Sequence, residues 1–492
     1  MRKRAQAAGY RLAVAAALSL AVAGCNSSLL MINSQPGSIP EASKQAQQQQ
    51  VPIPTQREHQ RILAAYNGAY DDPRLESLLN RMVAKLVAAS ERPDVAYRVT
   101  ILNSAAVNAF ALPTGQLYVT RGLIALANDT SELASVLSHE MSHVIARHAA
   151  IREDQARQVA LVSRVVQDVL SDPETGALAL AKSKIALASF SRAQEFEADG
   201  IGVGIAARAG YDPYGAVRFL TSMGRNAELK SNHGQAHIDP RAPDFLSSHP
   251  ATPERIKNAQ GNARQFSAPG ASERDKTAYL TGVDGMVYGE DPSEGFVRGR
   301  RFLHPKLGFT FVAPDGFSLD NTAQAVLGVK EGGGQALRLD VVRVPAEQTL
   351  ADYLTSGWIE NIDAKSVDEV IVNGLPAATA IARGDQWMFR LYAVRFGSDV
   401  YRFIFASKRQ SAEIDRQFRE SVSTFRRMTL AESQAAKPLH IRVFTVAPGE
   451  TVERLASRMA TPDRPVERFR ILNGLAANDR VNPGDQIKVV LE

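Results

Sequence analysis

The stretch "SVLSHEMSHVIARHAA" (residues 135–150) places three histidines and a glutamate in a run that otherwise reads as an amphipathic helix. His139 and His143 are four residues apart, so on a helix they stand one turn above the other on the same face. Glu140 lies about 100° round from His139. In this H-E-x-x-H arrangement two neutral imidazoles suit Zn²⁺, while the carboxylate is too far round to ligate but well placed to take a proton from an attacking water. Leu133, Leu137, Met141, Val144 and Ile145 fall on another side and can face a core. His148 is nine residues from His139, about 180° away. It joins the site only if the helix breaks, and reads as a packing or hydrogen-bonding histidine. The motif arises by chance in roughly one chain in a hundred of this length, so a third ligand decides its meaning.

Downstream lies "FSRAQEFEADG" (190–200). Glu195 and Asp199 are again one helical turn apart, and Glu197 points nearly the opposite way. Glu195 completes a two-histidine, one-glutamate set, which leaves the open position a catalytic zinc needs. Asp199 can accept a hydrogen bond from the far nitrogen of a ligand histidine and fix its tautomer. Without the histidine motif, the same pair would read as an exposed acidic face paired with Arg192.

At 492 residues the chain is expected to hold two to four domains. Its 45% hydrophobic and 22% charged residues are ordinary globular composition. The net charge of +5 is spread along the chain, and no basic tract argues for nucleic acid. Residues 1–24 carry Arg2, Lys3 and Arg4, then an apolar run from Leu12 to Ala23 too short for a comfortable membrane span. They end "AVAGC", which resembles a bacterial lipobox. A lipid on Cys25 and removal of 1–24 are therefore expected, the alternative being a plain secretory signal with a chance cysteine. Asn26 is not the aspartate associated with inner-membrane retention, so a periplasmic protein anchored in the outer membrane is favoured. No later apolar run reaches spanning length. With Cys25 lipidated no cysteine remains to pair, and stability must come from packing.

Residues 25–57, with "QAQQQQ", cannot bury enough apolar surface to fold and read as a tether. Residues 58–265 are mostly helical, with "YRVTIL" and "QLYVTR" alternating as strands of one small sheet. Residues 270–430 are rich in strand patterns, interrupted by helical stretches near 348–359 and 411–425, and read as an antiparallel α+β domain. They carry no constellation of acid, base or nucleophile. Residues 438–492 form a last unit. The fold class expected is multidomain: a mostly α domain carrying the H-E-x-x-H helix with a small β-sheet, an antiparallel α+β domain and a small βααβ domain.

Across residues 58–260 the segments "NAFALPTGQLYVTRGLI", "ELASVLSHEMSHVIARH", "SRAQEFEADGIGVGIAARAGYDP" and "SSHPATPERI" occur in an order that resembles a family of zinc metallopeptidases. That family includes the membrane protease HtpX, the CAAX prenyl protease and periplasmic BepA-like proteins. The resemblance implies a gluzincin-type fold and one Zn²⁺ per chain, held by His139, His143 and Glu195, with Glu140 as general base. It also implies that His249 can take the fourth zinc position and hold the site closed; swung away, His249 or Arg255 would stabilise an oxyanion. The alternative for His249 is a cap of the "HPATPE" turn. His233 and His237, in "NHGQAH", read as part of a mobile lid rather than a second metal site.

The strand around Val107–Leu112 reads as an exposed edge, where Asn108, Ala109 and Phe110 would take an extended peptide as an added strand. Such recognition favours unfolded or misassembled envelope polypeptides, and the function expected is their hydrolysis in quality control. The alternatives are an outer-membrane protein assembly factor or chaperone with proteolysis held off by His249, or a peptidoglycan-binding tether. The run from Val443 to Val490 resembles a LysM module, with Thr451 as a helix N-cap. That implies an N-acetylglucosamine-containing glycan, peptidoglycan, as partner; the alternative is a unit that only packs against its neighbour.

Overall fold

The computed structural model describes residues 56–154, 190–231, 249–267, 274–322, 325–384, 386–461 and 464–492. Cys25, most of the expected tether, and His233 and His237 lie outside the described residues.

The first core gathers α1 (Gln56–Ala65), α2 (Pro73–Ala89), strands β1 (Arg98–Leu102), β2 (Ala109–Ala111) and β3 (Gln116–Thr120), then α3 (Arg121–Leu126), α4 (Thr130–Ile145), α5 (Arg192–Arg208), α6 (Gly215–Ser231), α7 (Pro253–Phe266) and α8 (Lys276–Val283). The sheet has the order β1-β3-β2, parallel between β1 and β3 and antiparallel between β3 and β2, so β2 is an edge. Local chemistry sets the helix starts. Asp72 caps α2 by accepting from the amides of Arg74 and Leu75, with Pro73 in the first turn, and Ser191 and Gln194 form a capping box on α5. Helix α2 then buries Leu75, Leu78, Leu79, Met82, Val83 and Leu86 along one stripe.

Helix α4 departs from the one-sided helix that its spacing predicts. Every residue from Thr130 to His143 is buried. Small residues on its polar faces, Ser131, Ala134, Ser135, Ser138 and Ser142, let neighbours pack on all sides. The serine hydroxyls are satisfied locally, Ser142 Oγ donating to the Ser138 carbonyl at 2.6 Å and Ser135 Oγ to that of Glu132 at 2.7 Å.

Residues 274–288, placed by the sequence pattern in the α+β domain, pack instead into this first core. Tyr279, Leu280, Val283 and Met286 are buried there, and Tyr279 Oη donates to the Ile124 carbonyl at 2.5 Å. Beyond β4 (Val287–Tyr288), strands β5 (Phe296–Arg298), β6 (Arg301–His304) and β7 (Phe309–Val312) form a four-stranded sheet with β15 (Arg426–Arg427). A seven-stranded antiparallel sheet holds β8 (Phe317–Asn321), β9 (Val326–Lys330), β10 (Gln335–Val342), β11 (Ile362–Val372), β12 (Leu375–Arg383), β13 (Met388–Phe396) and β14 (Asp399–Ser407). One apolar cluster fills the space between the sheets and α10 (Ala412–Ser423); another lies under α9 (Leu350–Leu354).

After α11 (Leu430–Ala435), the last unit runs β16 (Leu439–Thr445), α12 (Val452–Ala456), α13 (Pro465–Leu472) and β17 (Gln486–Leu491). It is bound closely to the first core. Strand β4 extends its sheet by pairing with β16, and Ile441 and Ile471 belong to the first core's apolar cluster. Lys488 is fully buried and its ammonium donates to the carbonyls of Ala125 (2.7 Å) and Ala127 (2.5 Å), between the end of α3 and the start of α4. Among the described residues no helix is long and apolar enough to cross a membrane. Lys488→Met would leave two buried carbonyls without a donor and is expected to cost about 3 kcal/mol. Urea denaturation checks this, and a change below about 0.5 kcal/mol would show that docking does not depend on the ammonium.

Candidate metal centre

Helices α4 and α5 cross at a glycine. A Cβ on Gly202 would sit 3.0 Å from the His139 amide nitrogen and 3.1 Å from its Cα, so only glycine permits this approach without displacement. The crossing brings Glu195, two turns earlier on α5, level with the histidines of α4. His139 Nε2 and His143 Nε2 are 3.1 Å apart, and the Glu195 carboxylate lies 3.6 Å from the first and 3.5 Å from the second. His249, on the segment leading into α7, puts Nδ1 3.3 Å from His139 Nε2 and 2.9 Å from Glu195 Oε1. These four residues could hold a metal ion. Ligands about 2.0–2.1 Å from a tetrahedral zinc are about 3.3–3.4 Å from one another, and the observed separations bracket that edge length.

The electrostatics also fit a cation. Burial holds the imidazoles of His139, His143 and His249 in the neutral form, that of His249 at about 3. Burial, followed by the charge of Glu195, pushes Glu140 well above the usual carboxylate range, and burial raises Glu195 against the pull of His139 and Arg255. Three buried carboxylates, Glu140, Glu195 and Asp199, face the single guanidinium of Arg255 in this cluster. A divalent ion would supply positive charge to this excess of carboxylates. Glu140 Oε1 is buried with no hydrogen-bond partner among the described residues.

Asp199 Oδ1 lies 3.0 Å from His139 Nδ1, where it can fix that ring's tautomer. Arg255 stands elsewhere than the oxyanion-facing place expected of it. It is buried, with Nη1 2.6 Å from Glu195 Oε2, a two-pronged contact to Asp199 (2.9 and 2.7 Å) and a bond to the Pro250 carbonyl. A guanidinium engaged in this way braces the two carboxylates and does not face a substrate.

The edge strand needs a similar correction. Asn108 is tied inward by Thr120 on both backbone groups and by Tyr66 on its side chain, and the Leu112 amide donates to Gln116. By alternation, the backbone groups facing the free edge are those of Ala109 and Ala111, not of Asn108 and Phe110. The Ala111 amide donates to the Glu140 carboxylate, which joins this edge to the H-E-x-x-H helix.

Phe190 and Arg152 carry no signal in the sequence, and His148 reaches the site by the helix break that its spacing requires, with Glu197 beside it. The helix breaks after Ile145, with Arg147 in the left-handed region (φ 56°), and His148 returns to put Nδ1 2.9 Å from His143 Nδ1. Glu197 Oε2 lies 3.3 Å from His148 Nε2. The Phe190 ring stacks on His143 at 3.9 Å between centroids, and the Arg152 guanidinium lies 4.4 Å from the Phe190 centroid. No spacing rule signals these residues, because a left-handed arginine is not legible in sequence.

Arg255→Met, measured on zinc-free protein, is expected to cost about 3–5 kcal/mol, since it strips the counter-charge from two buried acids. Burial alone would raise Asp199, but its bonds to His139 and Arg255 prevail and hold it at about 2, below the ordinary 3.8. A depressed carboxylate stabilises the fold above its unfolded pKa and loses that effect as pH falls through the folded one. The difference between the two proteins should therefore be full above about pH 4 and shrink towards pH 2, as acid and denaturant titrations would show.

Residues 71–263 match Peptidase family M48 and residues 444–490 match the LysM domain. The chain is similar to "Beta-barrel assembly-enhancing protease" of Escherichia coli (strain K12), 30% identical over 205 residues that make up 40% of each chain. It is 29% identical to the Yersinia pestis protein of that name over 230 residues, 45% of each chain. It is also 33% identical over 201 residues to "Mitochondrial metalloendopeptidase OMA1" of Arabidopsis thaliana, covering 41% of this chain and 38% of that one. The chain spans less than half the length of these relatives. The helices that carry His139, His143 and Glu195 thus lie within the stretch matched to Peptidase family M48, and most of the last unit within the stretch matched to the LysM domain.

Proposed function

We propose that the chain is a zinc-dependent endopeptidase of the bacterial cell envelope that cleaves unfolded or misassembled polypeptides. The observation that carries this is the convergence of His139, His143 and Glu195 to zinc-ligand spacing beside a buried Glu140 bound to the edge-strand amide of Ala111. Zinc, when bound there, would polarise the scissile carbonyl and acidify water to a pKa of about 7. Glu140 takes the proton of the attacking water and delivers it to the leaving amine. An extended peptide beside β2 would bond to the free backbone groups of Ala109, a mode that reads main chain before side chains.

A second reading rests on His249. Its Nδ1 stands at the fourth corner of the cluster, and the ring is 2% exposed. With an imidazole in the place of the attacking water, hydrolysis is held off and the protein serves as an assembly factor until His249 leaves. The relatives named as beta-barrel assembly-enhancing proteases support an envelope role on either reading. Lipid on Cys25 would hold the chain at the outer membrane, and the LysM domain would bring peptidoglycan as a partner.

Purified protein loaded with one equivalent of zinc should cleave unfolded β-casein. Glu140→Gln should slow cleavage by at least about 10³-fold while zinc content stays unchanged. His249→Ala should cleave faster than wild type if His249 is a latch. Retained cleavage in Glu140→Gln would sink the peptidase reading; an inert His249→Ala would leave the assembly-factor reading in its place.

A further inference from the structure

Two histidines of the cluster are steadied from behind in different ways. His139 has the Asp199 carboxylate 3.0 Å from Nδ1. His143 has another imidazole, that of His148, and a carboxylate only beyond it. With a metal on Nε2 of His143, the proton positions in this second arrangement follow from the geometry. His143 presents Nε2 to the cluster, so its hydrogen is on Nδ1. That N–H points at His148 Nδ1, which must therefore accept. The His148 hydrogen is then on Nε2, facing Glu197 Oε2, which accepts in turn.

Among the described residues, His148 is the acceptor placed at His143 Nδ1. His148 is 1% exposed, and Phe190 covers the face of His143, so water is kept from the junction. The backbone is bent to make this contact. Arg147 holds a left-handed φ of 56°, in the region that favours glycine. A continued helix would have carried His148 to the far side. Glu197, with its side chain 59% exposed, is the member of the series that meets solvent.

We infer that His148 is a positioning residue of the metal centre, which holds His143 in the ligating tautomer by accepting its Nδ1–H and is itself held in the accepting tautomer by Glu197. This rests on the reading that His139, His143 and Glu195 bind zinc. Partners of this kind typically change metal affinity by about 10–100-fold.

The test measures the zinc dissociation constant by competition with a chromophoric chelator, and the visible spectrum of the Co²⁺-substituted protein, for full-length wild type, His148→Leu, His148→Gln, Glu197→Ala and the Glu197→Ala/His148→Leu pair. Leucine has no acceptor, so His148→Leu should bind zinc about 10–100-fold more weakly and alter the Co²⁺ spectrum. Glutamine can accept from His143 and donate to Glu197, so His148→Gln should stay within about threefold of wild type. Glu197→Ala, on an exposed side chain, should lose about threefold to tenfold, and nothing further once His148 is leucine. Equal losses in leucine and glutamine variants would make His148 a packing residue and overturn the inference. Wild-type affinity in both His148→Leu and Glu197→Ala would overturn it as well. Should His148→Leu not fold, Glu197→Ala alone decides by the same margin. A wild type that binds no zinc would instead remove the metal reading on which the inference stands.

Discussion

The close passage of α5 over α4 at Gly202 is the constraint on which the metal centre depends. Two helices in contact through side chains are held about 8–10 Å apart; here a missing Cβ brings one backbone against His139 itself. That proximity lets a glutamate two turns away reach the gap between two imidazoles. It also buries three carboxylates together, an arrangement that would repel itself without Arg255. The arginine therefore supplies part of the positive charge that a bound cation would complete. It sits behind Glu195 and Asp199 and leaves the space between the imidazoles to the ion.

The surroundings of the centre are dry and closed. His139, Glu140, His143, Glu195 and His249 are each at most 5% exposed. Aromatic and cationic layers, Phe190 and then Arg152, lie over His143. Low local dielectric strengthens every charge interaction inside, favours the neutral form of the histidines and pushes Glu140 above the usual carboxylate range. The same closure keeps an extended chain out.

How much of this was legible in the sequence follows from how local each rule is. Helical spacing alone grouped His139 with His143 and Glu195 with Asp199, because one turn of helix is a short-range property. The same spacing set His148 apart, correctly for a continuous helix and wrongly for one that breaks at Arg147. Arg255 showed its charge but not its direction, which comes from where α7 lies against α5. Strand alternation located the β2 edge, yet which residues face outward depended on the register with β3. Lys488 was the least legible of all. A lysine in a terminal strand reads as solvent-facing, and only the docking of the last unit turns it inward against the carbonyls of Ala125 and Ala127.

That buried lysine has a consequence for how the chain comes into being. Its two acceptors precede it by 363 and 361 residues. The leading end of the helix bearing His139, Glu140 and His143 is thus finished by a distant stretch of chain, and it is complete only once the last unit has docked against it.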